Sequence, residues 1–247
     1  MISHIKIEPT FNAFVKQYGG ELISEIISSS PDFPNADYLF RKENVVAELK
    51  VLTEDKLHDP ESQKKFGELF RSWVERGIIP PQQMPRFLDS KDYPVTCQKE
   101  MYNIWSPPVE QQLKKANLQI RETKKRLGIE TAKGLLLIAN DGNLALPPLA
   151  LLHILFKSIN SKFRSINTFV FFSANMFMRI AETQKPALPW FVGTRGDGGD
   201  VPEIFTKSLG DAWGIFLEKY QGIKMDKLAS SGIDGLEHLN FWNPVVP

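Results

Sequence analysis

Apolar residues recur at helical spacing at Phe11, Phe14, Val15, Tyr18, Leu22 and Ile26, and this stripe predicts a first helix over residues 11–27, kinked at Gly19-Gly20. Ser28-Ser29-Ser30-Pro31 ends it. Alternation then takes over across residues 36–51, where Val45, Ala47, Leu49 and Val51 share one face and the polar run Arg41-Lys42-Glu43-Asn44 predicts a hairpin turn between two strands. Phe66, Leu69, Phe70, Trp73 and Val74 restore the helical period over residues 61–76. Val109, Leu113, Ala116, Ile120 and Leu127 mark the buried edge of a long helix over residues 109–127. Residues 135–139 and 168–173 are near-continuous apolar runs of strand length, separated by a proline-initiated helix at 148–159, so a right-handed parallel crossover is expected. Residues 202–220 give a last helix. The sum is an α/β fold, a mixed β-sheet flanked by helices on both faces, in one domain spanning residues 1–247.

Six of the 17 prolines lie between residues 80 and 108, which predicts an irregular, Pro-rich insertion there because proline is excluded from helix interiors and central strands. A hydrophobic fraction of 42% in 247 residues supports a substantial core. The single cysteine, Cys97, excludes an intrachain disulfide and a cysteine-based zinc site, and His4, His58, His153 and His238 have no ligand spacing. A cytoplasmic location is expected, with no signal peptide at the N-terminus. The greasiest stretch, residues 135–156, is broken by Asn140-Asp141-Gly142-Asn143 and by Pro147-Pro148, so no membrane span is expected.

The candidate chemistry lies in the hairpin. If the chain turns tightly about Lys42-Glu43, Asp37 and Glu48 are symmetric about the turn and face each other with Cβ atoms about 5 Å apart. Period two sends Glu48 and Lys50 to the face opposite Val45, Ala47, Leu49 and Val51. Two carboxylates and an amine at one place suit Mg²⁺ or Mn²⁺, held by Asp37 and Glu48, with Lys50 placed to act on a water and on charge developing at phosphorus. The competing view is a solvated strand face, on which Glu-X-Lys occurs by chance.

The order of a helix, an Asp-bearing strand, a hairpin, a valine-rich strand with Glu-X-Lys and a second helix resembles the PD-(D/E)XK nuclease superfamily at Asp37, Glu48 and Lys50, over roughly the first third of the chain. Asn35-Ala36 departs from the family's proline just before the aspartate. The resemblance implies a restriction-endonuclease-like core, metal ligation by Asp37 and Glu48, and a water-directing Lys50. It further implies an acidic residue on the first helix near the metal, for which Glu25 is the candidate and Glu21 the fallback.

Residues 114–126 carry six basic side chains against Glu122 alone, although the whole chain has a net charge of only +1. That concentration marks a face for tracking phosphates, with Lys114, Lys115, Gln119 and Lys124 as candidate nucleic-acid contacts, against the alternative of a solubilising helix face. In nucleases that this chain resembles, basic or amide residues after the Glu-X-Lys strand approach the scissile phosphate, the place expected of Lys115 and Gln119.

The run 193–200 has neither a Walker ending nor dinucleotide spacing and reads as a loop in which Arg195 could touch substrate. Trp73, Trp105, Trp190, Trp213 and Trp242 are candidates for base stacking or for the core, and His153 is expected inside the core. The expected function is a divalent-metal-dependent phosphodiesterase cutting nucleic acid, DNA foremost. A second copy of the chain is admitted as a partner. The alternative is a catalytically inactive nuclease-like fold serving as a binding or assembly module.

Overall fold

A computed structural model describes residues 3–27, 33–53, 60–81, 93–143, 148–179, 186–225 and 242–244. Helix α1, Ile7–Tyr18, stops because Gly19 adopts φ 100°, a left-handed conformation that costs glycine nothing, and returns its N–H to Val15 and Lys16. A Cβ on Gly20 would stand 2.7 Å from side-chain atoms of Phe40 and Val15, so the chain can pass here only without one. The short strand β1, Glu21–Leu22, and one helical turn, α2, Ile23–Ile26, follow. The kinked helix expected over residues 11–27 is therefore three elements, because the paired glycines terminate it.

Strands β2, Tyr38–Phe40, and β3, Val45–Leu52, form the expected hairpin, and helix α3, Pro60–Glu75, follows it. Helix α4, Val95–Arg126, then crosses to β4, Lys133–Asn140, and helix α5, Pro148–Ser161, crosses to β5, Thr168–Ser173. Strands β6, Met176–Arg179, β7, Pro186–Ala187, and β8, Trp190–Thr194, lead to helix α6, Glu203–Gln221, and to β9, Trp242–Pro244. The principal sheet has the order β1-β2-β3-β4-β5-β8. Its β3–β4 and β4–β5 pairs are parallel and its other pairs antiparallel, so the sheet is mixed. A small separate sheet, β7-β6-β9, has no counterpart in the sequence pattern.

Helices cover both faces. On one, α1 and α6 bury Phe11, Phe14 and Trp213 against Val45, Ala47, Leu137 and Phe172. On the other, α3, α4 and α5 bury Trp73, Leu113 and Leu155 against Val46, Leu136 and Phe171. Strand β3 is thus enclosed on both sides, as parallel-paired strands usually are.

The Pro-rich insertion expected at residues 80–108 is corrected by α4, which begins at Val95 and contains Pro107 and Pro108. Those prolines each delete an intrahelical N–H donor. The buried stripe Cys97, Met101, Trp105, Val109, Leu113, Ala116 and Ile120 nevertheless runs unbroken through them, so packing of that stripe outweighs the local cost. Residues 82–92 of the expected insertion lie outside the described residues. Among the described residues, no helix is long and apolar enough to cross a membrane.

Gly134 and Gly214 make opposite tests of this packing. A Cβ on Gly134, in β4, would lie 1.8 Å from the Ser165 carbonyl oxygen, whereas one on Gly214, in α6, meets nothing within 4 Å. Urea unfolding should show Gly134→Ala losing about 3 kcal/mol, the top of the usual range for overpacking, and Gly214→Ala gaining about 0.5–1 kcal/mol from the helix preference for alanine.

Candidate functional site

The hairpin turn spans Arg41 to Asn44, with Asn44 at φ 54° and its N–H donating to Arg41 O at 3.1 Å. Asparagine is among the residues that best tolerate this left-handed conformation. The pairs Tyr38↔Ala47, Leu39↔Val46 and Phe40↔Val45 fix a register that carries Asp37 opposite Glu48. The neighbouring parallel pairing sets Glu48 beside Leu136 and Lys50 beside Ile138 of β4.

Glu48 is 1% exposed, so the solvated-strand-face alternative fails at this residue. Lys50 Nζ donates to Glu48 Oε1 at 2.5 Å and to Gln119 Oε1 at 2.9 Å. Gln119 Nε2 in turn donates to Asn35 O at 2.9 Å, so α4 holds both the lysine and the segment leading into Asp37. Asp37 Oδ2 accepts the Leu49 N–H at 2.7 Å. Glu48 Oε2 is buried and receives no N–H donor, and the Asp37 carboxyl lies within hydrogen-bonding reach of the Glu48 carboxyl, so a proton on either acid is shared between them.

Burial pushes the Glu48 carboxyl up to about 8, with the charge of Asp37 adding to the rise and Lys50 opposing it. Asp37 is also raised, by burial first, against the Leu49 N–H and the charge of Lys50, which pull it down. Both carboxyls are therefore disfavoured as anions when no cation lies between them. Two buried acids in contact, one of them with an oxygen that no N–H reaches, fit a hard divalent cation, which would displace the shared proton and lower both groups together. Among the described residues, no group of three or more His, Cys, Asp or Glu side chains is arranged to hold a metal. The donor set is thus two carboxylates, the number with which Mg²⁺ commonly retains waters and a phosphate oxygen.

The departure from proline before Asp37 has a physical counterpart. The Ala36 N–H donates to Thr123 Oγ1 of α4 at 2.8 Å in a buried setting, a bond that proline at position 36 would lose.

Glu25 does not join the site. It is 58% exposed and pairs with Lys16 at 2.5 Å, while the fallback Glu21 pairs with Arg41 at 2.5 Å. The break at Gly19 shifts the helical phase on which the inward placement of Glu25 depends. The α1 acid whose charge reaches Asp37, raising its carboxyl, is Glu8. Sequence reasoning missed it because the predicted helix began at residue 11, although an acid in a helix's first turn is a recognisable start signal.

The basic candidates separate. Gln119 touches Lys50, whereas Lys114 and Lys115 are exposed about one turn earlier on α4. Lys124 lies beyond the dyad, with Nζ 3.5 Å from Ser165 O.

Arg195 is 6% exposed and held by Asp197, and Asp200 accepts the N–H groups of Arg195 and Gly196, so this loop folds onto itself. The expectation of a core His153 is corrected: it is exposed, edge-on to Tyr102. Trp73, Trp105 and Trp213 are buried, and half-buried Trp190 donates to Thr206 O. The side chain of Trp242 lies outside the described residues.

No protein-family model, curated protein or solved structure matches the chain.

The carboxyl shifts set a stability trend in metal-free protein. Raised folded-state values mean that the native state keeps protons that the unfolded state has already released, so this contribution is complete below about pH 4.5 and is lost as pH climbs toward about 8. Melting in EDTA across that window should show Glu48→Gln gaining on the parent as pH rises, at a limiting slope of about 1.4 kcal/mol per pH unit. A constant gap between the two proteins would show that Glu48 is ionised throughout.

Proposed function

We propose that the chain is a nuclease, a divalent-metal-dependent phosphodiesterase with a restriction-endonuclease-like core, acting in the cytoplasm on nucleic acid, DNA foremost. The observation that carries this reading is buried Glu48, its Oε2 reached by no N–H, opposite Asp37 and joined to Lys50. The element order supports it: helix α1, three antiparallel strands with Asp37 immediately before the second and Glu48 on the third, helix α4, and a parallel β4.

Asp37 and Glu48 would hold Mg²⁺ or Mn²⁺. When bound, such a cation neutralises charge on the phosphate oxygens and makes water a better nucleophile at neutral pH. Asp37 is fixed for that task by the Leu49 N–H, which leaves its other oxygen for the cation. Lys50 Nζ, held by Glu48 and Gln119, orients the attacking water and faces the charge that develops at phosphorus. Gln119 acts through Lys50 as a positioning residue. A dry, preformed lysine loses little by reorganisation during reaction, which is why its placement matters more than its charge alone.

Cleavage assays on linear and circular DNA and on RNA, in Mn²⁺ and in Mg²⁺, test this directly. Activity should vanish in EDTA, and Asp37→Asn, Glu48→Gln and Lys50→Ala should each lose at least about a hundredfold in kcat while melting as cooperatively as the parent. Gln119→Ala should lose about tenfold in kcat with KM little changed. Full cleavage by folded Glu48→Gln would refute the assignment.

A further inference from the structure

The last two turns of α4, the start of β4 and the turn between α5 and β5 border an open surface hollow of about 560 Å³ lined by Arg121, Lys124, Lys125, Lys133 and Arg164, with Glu130 the one acidic side chain in its wall. Basic residues at a helix C-terminus are ordinary, since they complement the helix dipole. That accounts for Lys124 and Lys125, in the last turn of α4, and not for Lys133 and Arg164, which arrive from other elements. Arg121 has a partner in Glu122. Among the described residues, no carboxylate pairs with Lys124, Lys125, Lys133 or Arg164.

This crowding has a cost that the fold does not offset. Lys124 is pushed down to about 8, chiefly by burial and then by the positive charge of Lys133. Its only described hydrogen-bond partner is the Ser165 carbonyl at a long 3.5 Å. Cations gathered from three elements around one hollow, with Lys124 half-buried among them, in a chain whose net charge is only +1, attract an anion from outside.

Position in the fold connects the hollow to the carboxylates. Lys124 follows Gln119 by five residues on α4, an axial distance of about 7.5 Å. Lys133 precedes Leu136, the strand partner of Glu48, by three residues on β4, a rise of about 10 Å that sends its side chain to the opposite face, so the hollow lies at the end of the sheet that carries the carboxylates.

We propose that this hollow is a phosphate-binding site, occupied by a backbone phosphate of the nucleic acid whose reacting bond is held at Asp37 and Glu48. The occupant's identity rests on the nuclease reading. The anion chemistry of the hollow does not. Filling it anchors the nucleic acid at the end of the sheet that carries the carboxylates.

The test uses the exposed pair Lys125 and Arg164, whose replacement leaves the core untouched, and takes Glu48→Gln as the comparison. Binding of a labelled 20-nucleotide oligonucleotide, single- and double-stranded, is measured in EDTA across a salt series, together with the rise in melting temperature given by inorganic pyrophosphate. The double variant Lys125→Gln/Arg164→Gln should flatten the slope of log affinity against log salt by about 1.5 to 2. It should also lose the pyrophosphate-induced rise, while Glu48→Gln keeps both the slope and the rise. Unchanged slope and unchanged rise in the double variant would overturn the proposal, even if the parent cleaves nucleic acid in Mn²⁺. Loss of the rise with an unchanged slope would overturn the backbone phosphate as occupant and assign the hollow to free phosphate anions. Both effects in a parent that cleaves nothing would uphold the phosphate site and refute the nuclease reading, so the two failures are distinguishable.

Discussion

Two carboxyl groups placed about 5 Å apart across a hairpin repel by about 3 kcal/mol when both are ionised, taking an effective dielectric near 20. In this chain the pair lies inside the sheet, where β3 is covered by helices on both faces and Glu48 is 1% exposed, and the repulsion is avoided by holding a proton on the pair while no cation is present. The surrounding structure is organised around that constraint. Lys50 supplies a neighbouring charge, the Leu49 N–H supplies a donor to Asp37, and one oxygen of Glu48 is left without either. A fold whose sole need was stability would gain by replacing Glu48 with an apolar residue like its neighbours on this face, Val46 and Leu136. Keeping the acid makes sense where a cation completes the site.

Helix α4 connects this constraint to the rest of the molecule. Its buried stripe fills the core, Thr123 holds the Ala36 N–H, Gln119 holds Lys50 and Asn35 O, and its last turns bring cations to a separate hollow. One rigid element thus fixes the segment before Asp37, the lysine of the candidate centre and a cationic surface. The spacing between those functions is set by helical rise.

Four strands of the principal sheet, β2 to β5, were legible in the sequence because their signals are local, whereas β1 was absorbed into the first helix and β8 was not expected. Symmetry about Lys42-Glu43 placed Asp37 opposite Glu48, and the apolar runs of β4 and β5 carried their strand length openly. Two readings failed for physical reasons. Pro107 and Pro108 carry a strong local veto on helix, and only the buried stripe from Cys97 to Ile120, a tertiary effect, overrides it. Glu25 was placed by extending a helical phase across Gly19, whose φ of 100° ends the helix and turns that residue to solvent. Gln119 was reachable from sequence as a residue one turn from Lys115, but its contact with Lys50 depends on how α4 crosses β3, which no local pattern encodes. The gathering of Lys133 and Arg164 with Lys124 was invisible for the same reason.

The central claim is that Asp37 and Glu48 form a divalent-cation site whose occupation expels a proton. Calorimetric titration of the nucleic-acid-free protein with Mn²⁺ at pH 7, repeated in buffers of different ionisation enthalpy, measures metal and proton together. Glu48, pushed up to about 8, still carries its proton at that pH. The expected result is about one Mn²⁺ bound per chain with close to one proton released, and loss of both in Glu48→Gln. Binding without proton release and undiminished in Glu48→Gln, or no binding at millimolar Mn²⁺, would contradict it.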